Sequence, residues 1–173
     1  YSTLPLYHAT GLVVCWCGVI AGQSAFAIRR KFSKTHFWDD VRKFDASAIG
    51  YVGELCRYLL DGTPSPQDRQ HRVTKMIGNG MRPNIWDEFK TRFGIEEVLE
   101  LYASSEGNVG FSNVFNFDNT VGFSPMPYAV VKFDKEQNAP VLDKNGHCIK
   151  VKKGEVGLLI GAITARSPFD GYT

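Results

Sequence analysis

Short apolar runs alternate with longer amphipathic segments along the first two thirds of the chain. The apolar runs predict strands at residues 25–28, 48–52, 73–77 and 98–102. The segments around them predict helices at residues 10–21, from Ser33 onward, at residues 54–60 and from near Pro83 to Gly94. Strand and helix repeated in this order predict an α/β fold, with a mostly parallel sheet and helices on both of its faces.

The last third has a different pattern. Short strand-like runs occur at residues 109–111, 120–122, 129–133 and 157–160, and a turn sequence, Asp-Lys-Asn-Gly, occupies residues 143–146. Short strands joined by Asn-Gly turns predict an antiparallel β segment. We therefore expect residues 1–113 to form a βα-repeat part and residues 114–173 to form a truncated β-rich subdomain.

Composition excludes several classes of protein. The chain is 43% hydrophobic and 22% charged with a net charge of +2, and its basic residues are dispersed, which argues against a nucleic-acid partner. Its longest apolar stretch, residues 11–21, is shorter than the roughly 18 residues of a membrane span. The four cysteines include one C-x-C pair, Cys15 and Cys17, too few for a zinc site or a disulfide framework and typical of reduced thiols in the cytoplasm.

A polar run follows the predicted strand at residues 98–102. Ser104 and Ser105 carry hydroxyls that can hold a phosphate oxygen, Glu106 can hold a hard cation such as Mg²⁺, and Tyr102 offers a flat ring for a base. Open α/β sheets bind ligands at the carboxyl ends of their strands, so this run predicts a nucleotide site. The alternative is a strand followed by a Ser N-cap and an acidic first helical turn.

Several segments, in order, match one family. Tyr102-Ala103-Ser104-Ser105-Glu106 resembles the Tyr-Gly-x-Thr-Glu motif of the adenylate-forming enzymes, with Ala for Gly and Ser for Thr. Residues 78–83 resemble that family's Gly-rich adenine loop, residues 154–160 and 171–172 its later Gly-Glu-Leu-x-Ile and Gly-Tyr segments, and residues 4–8 the stretch after its nucleotide loop. The family includes acyl-CoA synthetases, luciferases and peptide-synthetase adenylation domains.

Three further segments narrow the resemblance. Residues 51–60, 80–86 and 167–172 are similar to the fatty acid transport protein and very-long-chain acyl-CoA synthetase branch. That branch implies activation of a fatty acid by ATP to an acyl-adenylate, followed by transfer of the acyl group to coenzyme A. It also implies a cytoplasmic location, with peripheral association of the parent protein with a membrane as an alternative.

The resemblance also implies roles for individual residues. Glu106 would bind Mg²⁺, and Ser105 would donate to the α-phosphate. ATP or AMP would contact Ser105 together with six other residues, namely Gly78, Asn79, Gly80, Tyr102, Ala103 and Ser104. His8 would sit between the acyl carboxylate and the nucleotide. Without the resemblance, a strand-to-helix turn is the favoured interpretation of Gly78 and Gly80, and a hydrogen-bonded core histidine is the favoured interpretation of His8.

Several parts of the family's site are expected outside this sequence. The Ser/Thr/Gly-rich phosphate loop would precede Tyr1, and the ribose-binding acid and the mobile C-terminal domain would follow Thr173. We therefore expect an internal fragment that needs these N- and C-terminal parts and is inactive alone. A fatty acid uptake or binding module without catalysis is the alternative, and a luciferase-like or peptide-synthetase domain is disfavoured by residues 51–60.

Overall fold

The computed structural model describes residues 1–104, 107–165 and 168–169. Contacts divide the chain into two compact units. The first comprises Tyr1–Tyr102 and Ser112–Phe123, and the second comprises Ala103–Phe111 and Ser124–Thr173.

The first unit is built on a sheet with the strand order β1-β2-β3-β4. The strands are β1 (Ala48–Val52), β2 (Lys75–Asn79), β3 (Glu97–Tyr102) and the short β4 (Phe111–Ser112). The pairs β1–β2 and β2–β3 are parallel, with Ile49, Met76 and Val98 aligned across the three strands. The predicted parallel sheet is therefore confirmed.

The helices of the first unit either precede β1 in the chain or lie between its strands. They are a π-helical segment (Thr10–Trp16), α1 (Cys17–Ala21), α2 (Phe37–Lys43), α3 (Gly53–Leu60) and α4 (Pro83–Phe93). In α4, Pro83 occupies the first turn, where its missing N–H costs nothing, and Gly94 ends the helix with φ 67°. Among these described residues, no helix combines the length and apolar character that crossing a bilayer requires.

Helices cover both faces of this sheet. One face carries Ile49, Met76 and Val98, which share a core with buried residues of the helices, among them Phe37, Val41, Leu55, Leu59, Trp86, Phe89 and Phe93. On the opposite face, Gly50 faces the π-helical segment, and a Cβ there would lie 2.5 Å from Cys15 Sγ. The two-faced arrangement follows from the alternation of side chains along a strand.

The aromatic residues and the cysteines of the chain differ in burial. Phe44 is 49% exposed, whereas Trp86 and Phe93 are buried. Cys15 and Cys56 are buried, Cys17 and Cys148 are exposed, and all four are free thiols.

One predicted strand and one predicted helix start are wrong for local reasons. Residues 25–28 form one bridge, Ser2 to Ile28, because their partner segment turns away at Pro5, whose carbonyl accepts from His8 N at 3.2 Å. Ser33 does not open a helix, since its carbonyl accepts from His36 N in a separate turn and α2 begins at Phe37.

The second unit is antiparallel, as predicted for the last third. Strand β5 (Tyr128–Val131) pairs with β8 (Leu158–Gly161), and β6 (Phe133–Asp134) pairs with β7 (Ala139–Pro140). The turn at residues 143–146 is present, with Gly146 at φ 82° and Leu142 bridged to Cys148. Residues 120–122 are a turn rather than a strand, in which Gly122, at φ 84°, donates to Thr120 Oγ1 at 3.0 Å.

Candidate nucleotide site

The carboxyl ends of β2 and β3 lie side by side and carry most of the predicted site residues that the structure describes. Gly78 and Asn79 are the last two residues of β2, and Tyr102 is the last residue of β3. Gly78 and Glu100 are register partners across the two strands. The adjacency of the glycine segment and the tyrosine is therefore a consequence of parallel pairing.

The turn after β2 involves fewer residues than the segment 78–80 in which a strand-to-helix turn was considered. Gly78 and Asn79 remain in β2, and the chain turns only at Gly80, which has φ 80°. The β2–β3 ladder holds Gly78 in extended backbone, so the left-handed conformation that favours glycine falls on Gly80 alone. Helix α4 then begins at Pro83.

Gly78 lies between two side chains that meet across it. Tyr51, Gly78 and Glu100 are aligned on β1, β2 and β3. Because Gly78 has no side chain, the Tyr51 hydroxyl reaches over β2 and donates a hydrogen bond to Glu100 Oε2. A Cβ at Gly78 would lie 2.8 Å from Tyr51 Cδ1 and would overlap the Tyr51 carbonyl oxygen.

Glu100 also holds the backbone after β2. The Gly80 N–H donates to Glu100 Oε1, and the Met81 N–H donates to Oε2 at 3.2 Å. The carboxylate is 3% exposed and accepts from two backbone amides and one phenol. An ionised carboxylate only accepts hydrogen bonds, so this set of donors matches it.

Burial sets the electrostatics of this cluster. It raises the pKa of the Glu100 carboxyl above its ordinary value, against the opposing effect of the three hydrogen bonds. Burial, together with the neighbouring Glu100 carboxylate, raises the pKa of the Tyr51 hydroxyl and of the Cys56 thiol well above their ordinary values. The phenol and the thiol are therefore neutral beside the carboxylate.

The His8 segment is connected to the end of β2 through Thr10. Thr10 Oγ1 donates to Asn79 Oδ1 at 2.8 Å, and the Thr10 N–H donates to His8 Nδ1 at 3.3 Å. His8 is exposed, so the alternative of a core histidine is wrong. The first unit thus contains His8, Gly78, Asn79, Gly80 and Tyr102 of the predicted site.

The remaining predicted residues fall in the second unit or outside the described part of the chain. Ala103 and Ser104 are exposed and, with Gly107 and Asn108, help to line a cavity of about 250 Å³ within the second unit. Ser105 and Glu106, predicted to contact the α-phosphate and Mg²⁺, lie outside the described residues. Within residues 1–104, 107–165 and 168–169, no group of three or more His, Cys, Asp or Glu side chains could hold a metal ion.

The sequence analysis did not identify Tyr51 and Glu100, whose side chains meet across Gly78 and hold the backbone at Gly80 and Met81. Glu100 lies two residues after buried Val98, in the phase of β3 that alternation assigns to the core, and Tyr51 stands in the same relation to Ile49. An acid in the buried phase of an apolar strand is the signal that could have identified Glu100, because such a group requires hydrogen-bond donors.

A comparison with protein-family models assigns the chain to a family. The model described as "AMP-binding enzyme" matches residues 1–172. The chain belongs to the AMP-binding enzyme family. The family match covers both units and every predicted site residue.

Two curated relatives of this family member are longer proteins. It is 48% identical over its whole length to the medium/long-chain-fatty-acid–CoA ligase FadD6 of Mycobacterium tuberculosis, covering 29% of that protein. It is 46% identical to the long-chain fatty acid transport protein 2 of Rattus norvegicus, over 99% of this chain and 29% of the relative. The chain therefore spans less than a third of these relatives.

Solved structures have the same fold. Over 98% of this chain and 32% of the other, ATP-bound MatB from Rhodopseudomonas palustris matches with a TM-score of 0.68 at 21% identity. A benzoate CoA ligase from Burkholderia xenovorans matches with a TM-score of 0.65 at 20% identity, over 91% of this chain and 31% of that one. At these identities the likeness concerns the fold.

Proposed function

We propose that this chain is the central part of an AMP-forming fatty acid–CoA ligase. The observation that carries the proposal is the pairing of the Gly78–Gly80 backbone with Tyr102 at adjacent strand ends, within a chain of the AMP-binding family. The 48% identical relative is named a medium/long-chain-fatty-acid–CoA ligase, which supports a fatty acid as the acyl substrate. ATP and coenzyme A are the proposed co-substrates.

The described residues fit the adenine end of ATP. The ring of Tyr102 is 48% exposed at the end of β3, and the exposed Gly80 leaves the backbone after β2 open to a flat ring, whereas Gly78 is buried against Tyr51. Asn79 has its Oδ1 engaged by Thr10, so its amide Nδ2 is oriented by that contact. We assign Tyr102, Gly78, Asn79 and Gly80 to adenine binding.

The phosphate end of ATP is assigned to the residues that follow β3. Ala103, Ser104 and Ser105 would lie along the α-phosphate, with the Ser105 hydroxyl as donor, and Glu106 would hold Mg²⁺. When bound, Mg²⁺ supplies charge neutralisation at the phosphates. His8 is assigned to the boundary between the acyl carboxylate and the nucleotide.

The proposed reaction has two steps. A carboxylate oxygen of the fatty acid attacks the α-phosphorus, the bond from phosphorus to pyrophosphate breaks, and an acyl-adenylate forms. The sulfur of coenzyme A, having lost its proton, then attacks the acyl carbonyl, and AMP leaves. Because the first step brings two anions together, donors such as the Ser105 hydroxyl stabilise its transition state.

The remaining features of the proposal concern the whole protein. We propose that residues 1–113 and 114–173 belong to the large N-terminal domain and its smaller β subdomain, and that the chain needs the remainder of a longer protein for activity. The complete protein is proposed to be cytoplasmic and peripheral to a membrane, a proposal supported by the relative named a long-chain fatty acid transport protein.

The deciding experiment is a pyrophosphate-release assay on a full-length ligase containing this sequence. ATP, Mg²⁺ and fatty acids of increasing chain length are supplied to the wild type and to Glu106→Ala, with the 173-residue chain assayed in parallel. Release that depends on a long-chain fatty acid, collapses in Glu106→Ala and is absent from the short chain supports the proposal. Fatty acid binding without pyrophosphate release from the full-length wild type would instead favour an uptake module.

A further inference from the structure

Glu100 is a buried carboxylate directly beneath the backbone assigned to adenine. We propose that Glu100 is a positioning residue that orients the Gly80–Met81 backbone and sets its spacing from Tyr102, so that it determines ATP affinity. The inference rests on the proposed function, because it assigns to Glu100 a task in that same nucleotide site.

Both carboxylate oxygens accept hydrogen bonds. Oε1 accepts from the Gly80 N–H and Oε2 from the Tyr51 hydroxyl, and the Met81 N–H donates to both, at 3.3 Å to Oε1 and 3.2 Å to Oε2. Two successive backbone amides are thereby directed at one side chain, which restricts the peptide planes on both sides of Gly80. The left-handed φ of Gly80 makes this segment the point where the chain leaves β2.

The position of Glu100 on β3 links the two parts of the adenine site. Residues two apart on a strand face the same side, so Glu100 and Tyr102 project from the same face of β3. Glu100, which accepts from the Gly80 N–H, therefore lies on the same strand face as the ring proposed to contact the base. A displacement of Glu100 would change the spacing between the Gly80 backbone and that ring.

A purely structural role does not require a charge here. The other buried position of β3, Val98, is apolar, and a buried carboxylate is costly unless it is fully hydrogen-bonded. Burial raises the pKa of the Glu100 carboxyl, in keeping with this cost. What the carboxylate supplies, and an apolar residue cannot, is an acceptor for two adjacent amides.

The test compares Glu100→Gln with a matched control on the same strand in the full-length ligase. Glu97→Gln is the control, because Glu97 pairs with Lys75 at 3.0 Å and is partly exposed. A Gln amide keeps the shape of Glu100 but turns an NH₂ group toward one of the three donors. We expect the KM for ATP to rise about tenfold in Glu100→Gln, the KM for fatty acid to stay unchanged, and Glu97→Gln to match the wild type.

A second variant, Tyr51→Phe, tests the proposal if Glu100→Gln does not fold properly. Tyr51→Phe leaves Glu100 and both amides in place and removes one donor to Oε2, so we expect it to raise the KM for ATP by about threefold. An unchanged KM for ATP in both variants, or an equal rise in both KM values, would overturn the positioning role. A kcat reduced only in proportion to the folded fraction would also overturn it.

Equilibrium binding separates this inference from the proposed ligase activity. ATP binding to the full-length wild type and to both variants is measured by calorimetry without fatty acid. If the wild type releases no pyrophosphate, the proposed function fails, whereas a tenfold weaker ATP affinity in Glu100→Gln still supports the positioning role. Equal ATP affinity in wild type and Glu100→Gln excludes that role, whatever the activity.

Discussion

Gly53 and Gly80 pack backbone against backbone. A Cβ at Gly53 would overlap the carbonyl oxygen of Gly80 and would lie 3.1 Å from the Met81 nitrogen. Gly53 is also the first residue of α3, so the turn from β1 into that helix fits against the segment after β2. The proposed adenine backbone is therefore held from one side by Glu100 and from another by the absence of a side chain at Gly53.

Gly53→Ala is predicted to disturb this segment. The added methyl group overlaps rigid backbone, and an overpacked site of this kind costs about 1–3 kcal/mol. We expect that loss in urea denaturation of the chain, together with weaker ATP binding by the full-length protein. Gly18→Ala is the control, because a Cβ there meets nothing within 4 Å, and it should leave stability unchanged or improve it.

Asn113 is predicted to fasten the segment at residues 112–123 to β3. It is 1% exposed, and its Nδ2 donates to Phe117 O at 2.6 Å and to Val98 O at 3.3 Å, while its Oδ1 accepts from Phe117 N at 3.0 Å. Asn113→Ala removes the side-chain partner of the buried Val98 carbonyl and of two partly buried backbone groups of Phe117, so we expect a loss of about 1–3 kcal/mol in urea denaturation.

Asn84 supplies the comparison for this asparagine. It lies exposed in the first turn of α4, and Asn84→Ala should change stability by less than about 0.5 kcal/mol. Equal losses in the two variants would show that Asn113 contributes no more than a surface side chain.

Local pattern and family motif predicted different parts of this molecule. The strand at Ala48–Val52 was predicted from its apolar run, and the helix Pro83–Phe93 from Pro83 and Gly94 at its two ends, because these signals are local. The start of α2 at Phe37 was not predicted, since Ser33 bonds within its own turn. Local capping signals fail where a competing turn uses the same residue.

The candidate site also has a part that the sequence predicted and a part that it did not. The segment 78–80 and Tyr102 could be identified from motifs, whereas the link between Tyr51 and Glu100 depends on the register of three strands. Register is set by pairing between distant segments, which no single stretch of sequence specifies. The contacts made by Ser105 and Glu106 remain predictions, as does the boundary between residues 113 and 114.

Asp118 is predicted to stabilise the fold above acidic pH. It accepts from Lys90 Nζ at 2.5 Å and from Trp86 Nε1 at 2.9 Å, and these donors hold the pKa of its carboxyl below the ordinary 3.8. The stabilisation is therefore fully present above that value and is lost as the pH falls through the lower folded pKa.

The asparagine variant measures this contribution. Because the Asp118 side chain is 51% exposed, we expect Asp118→Asn to cost less than about 1 kcal/mol at neutral pH. The difference in the free energy of unfolding between the wild type and Asp118→Asn, measured by urea denaturation, should disappear when the pH is lowered below 3.8. A difference that widened on acidification would contradict the role of the ionised carboxylate.

Glu100 is predicted to give the opposite pH dependence. Burial raises its folded pKa above the ordinary 4.5, although the Tyr51 hydroxyl and the amides of Gly80 and Met81 donate to it, and the Cys56 thiol nearby is neutral. The folded state therefore binds the proton more tightly than the unfolded state does. This contribution is fully present below 4.5 and is lost as the pH rises through the folded pKa.

Glu100→Gln removes that titration. We expect the stability of the wild type relative to Glu100→Gln, measured by urea denaturation at a series of pH values, to fall as the pH is raised from 4.5 toward neutrality. The stability of the wild type relative to Asp118→Asn, measured in the same series, should change with pH in the opposite direction. If the wild type instead gained stability over Glu100→Gln as the pH rose, the hydrogen bonds from Tyr51, Gly80 and Met81 would outweigh burial, and the carboxylate would stabilise the fold as well as orient the loop.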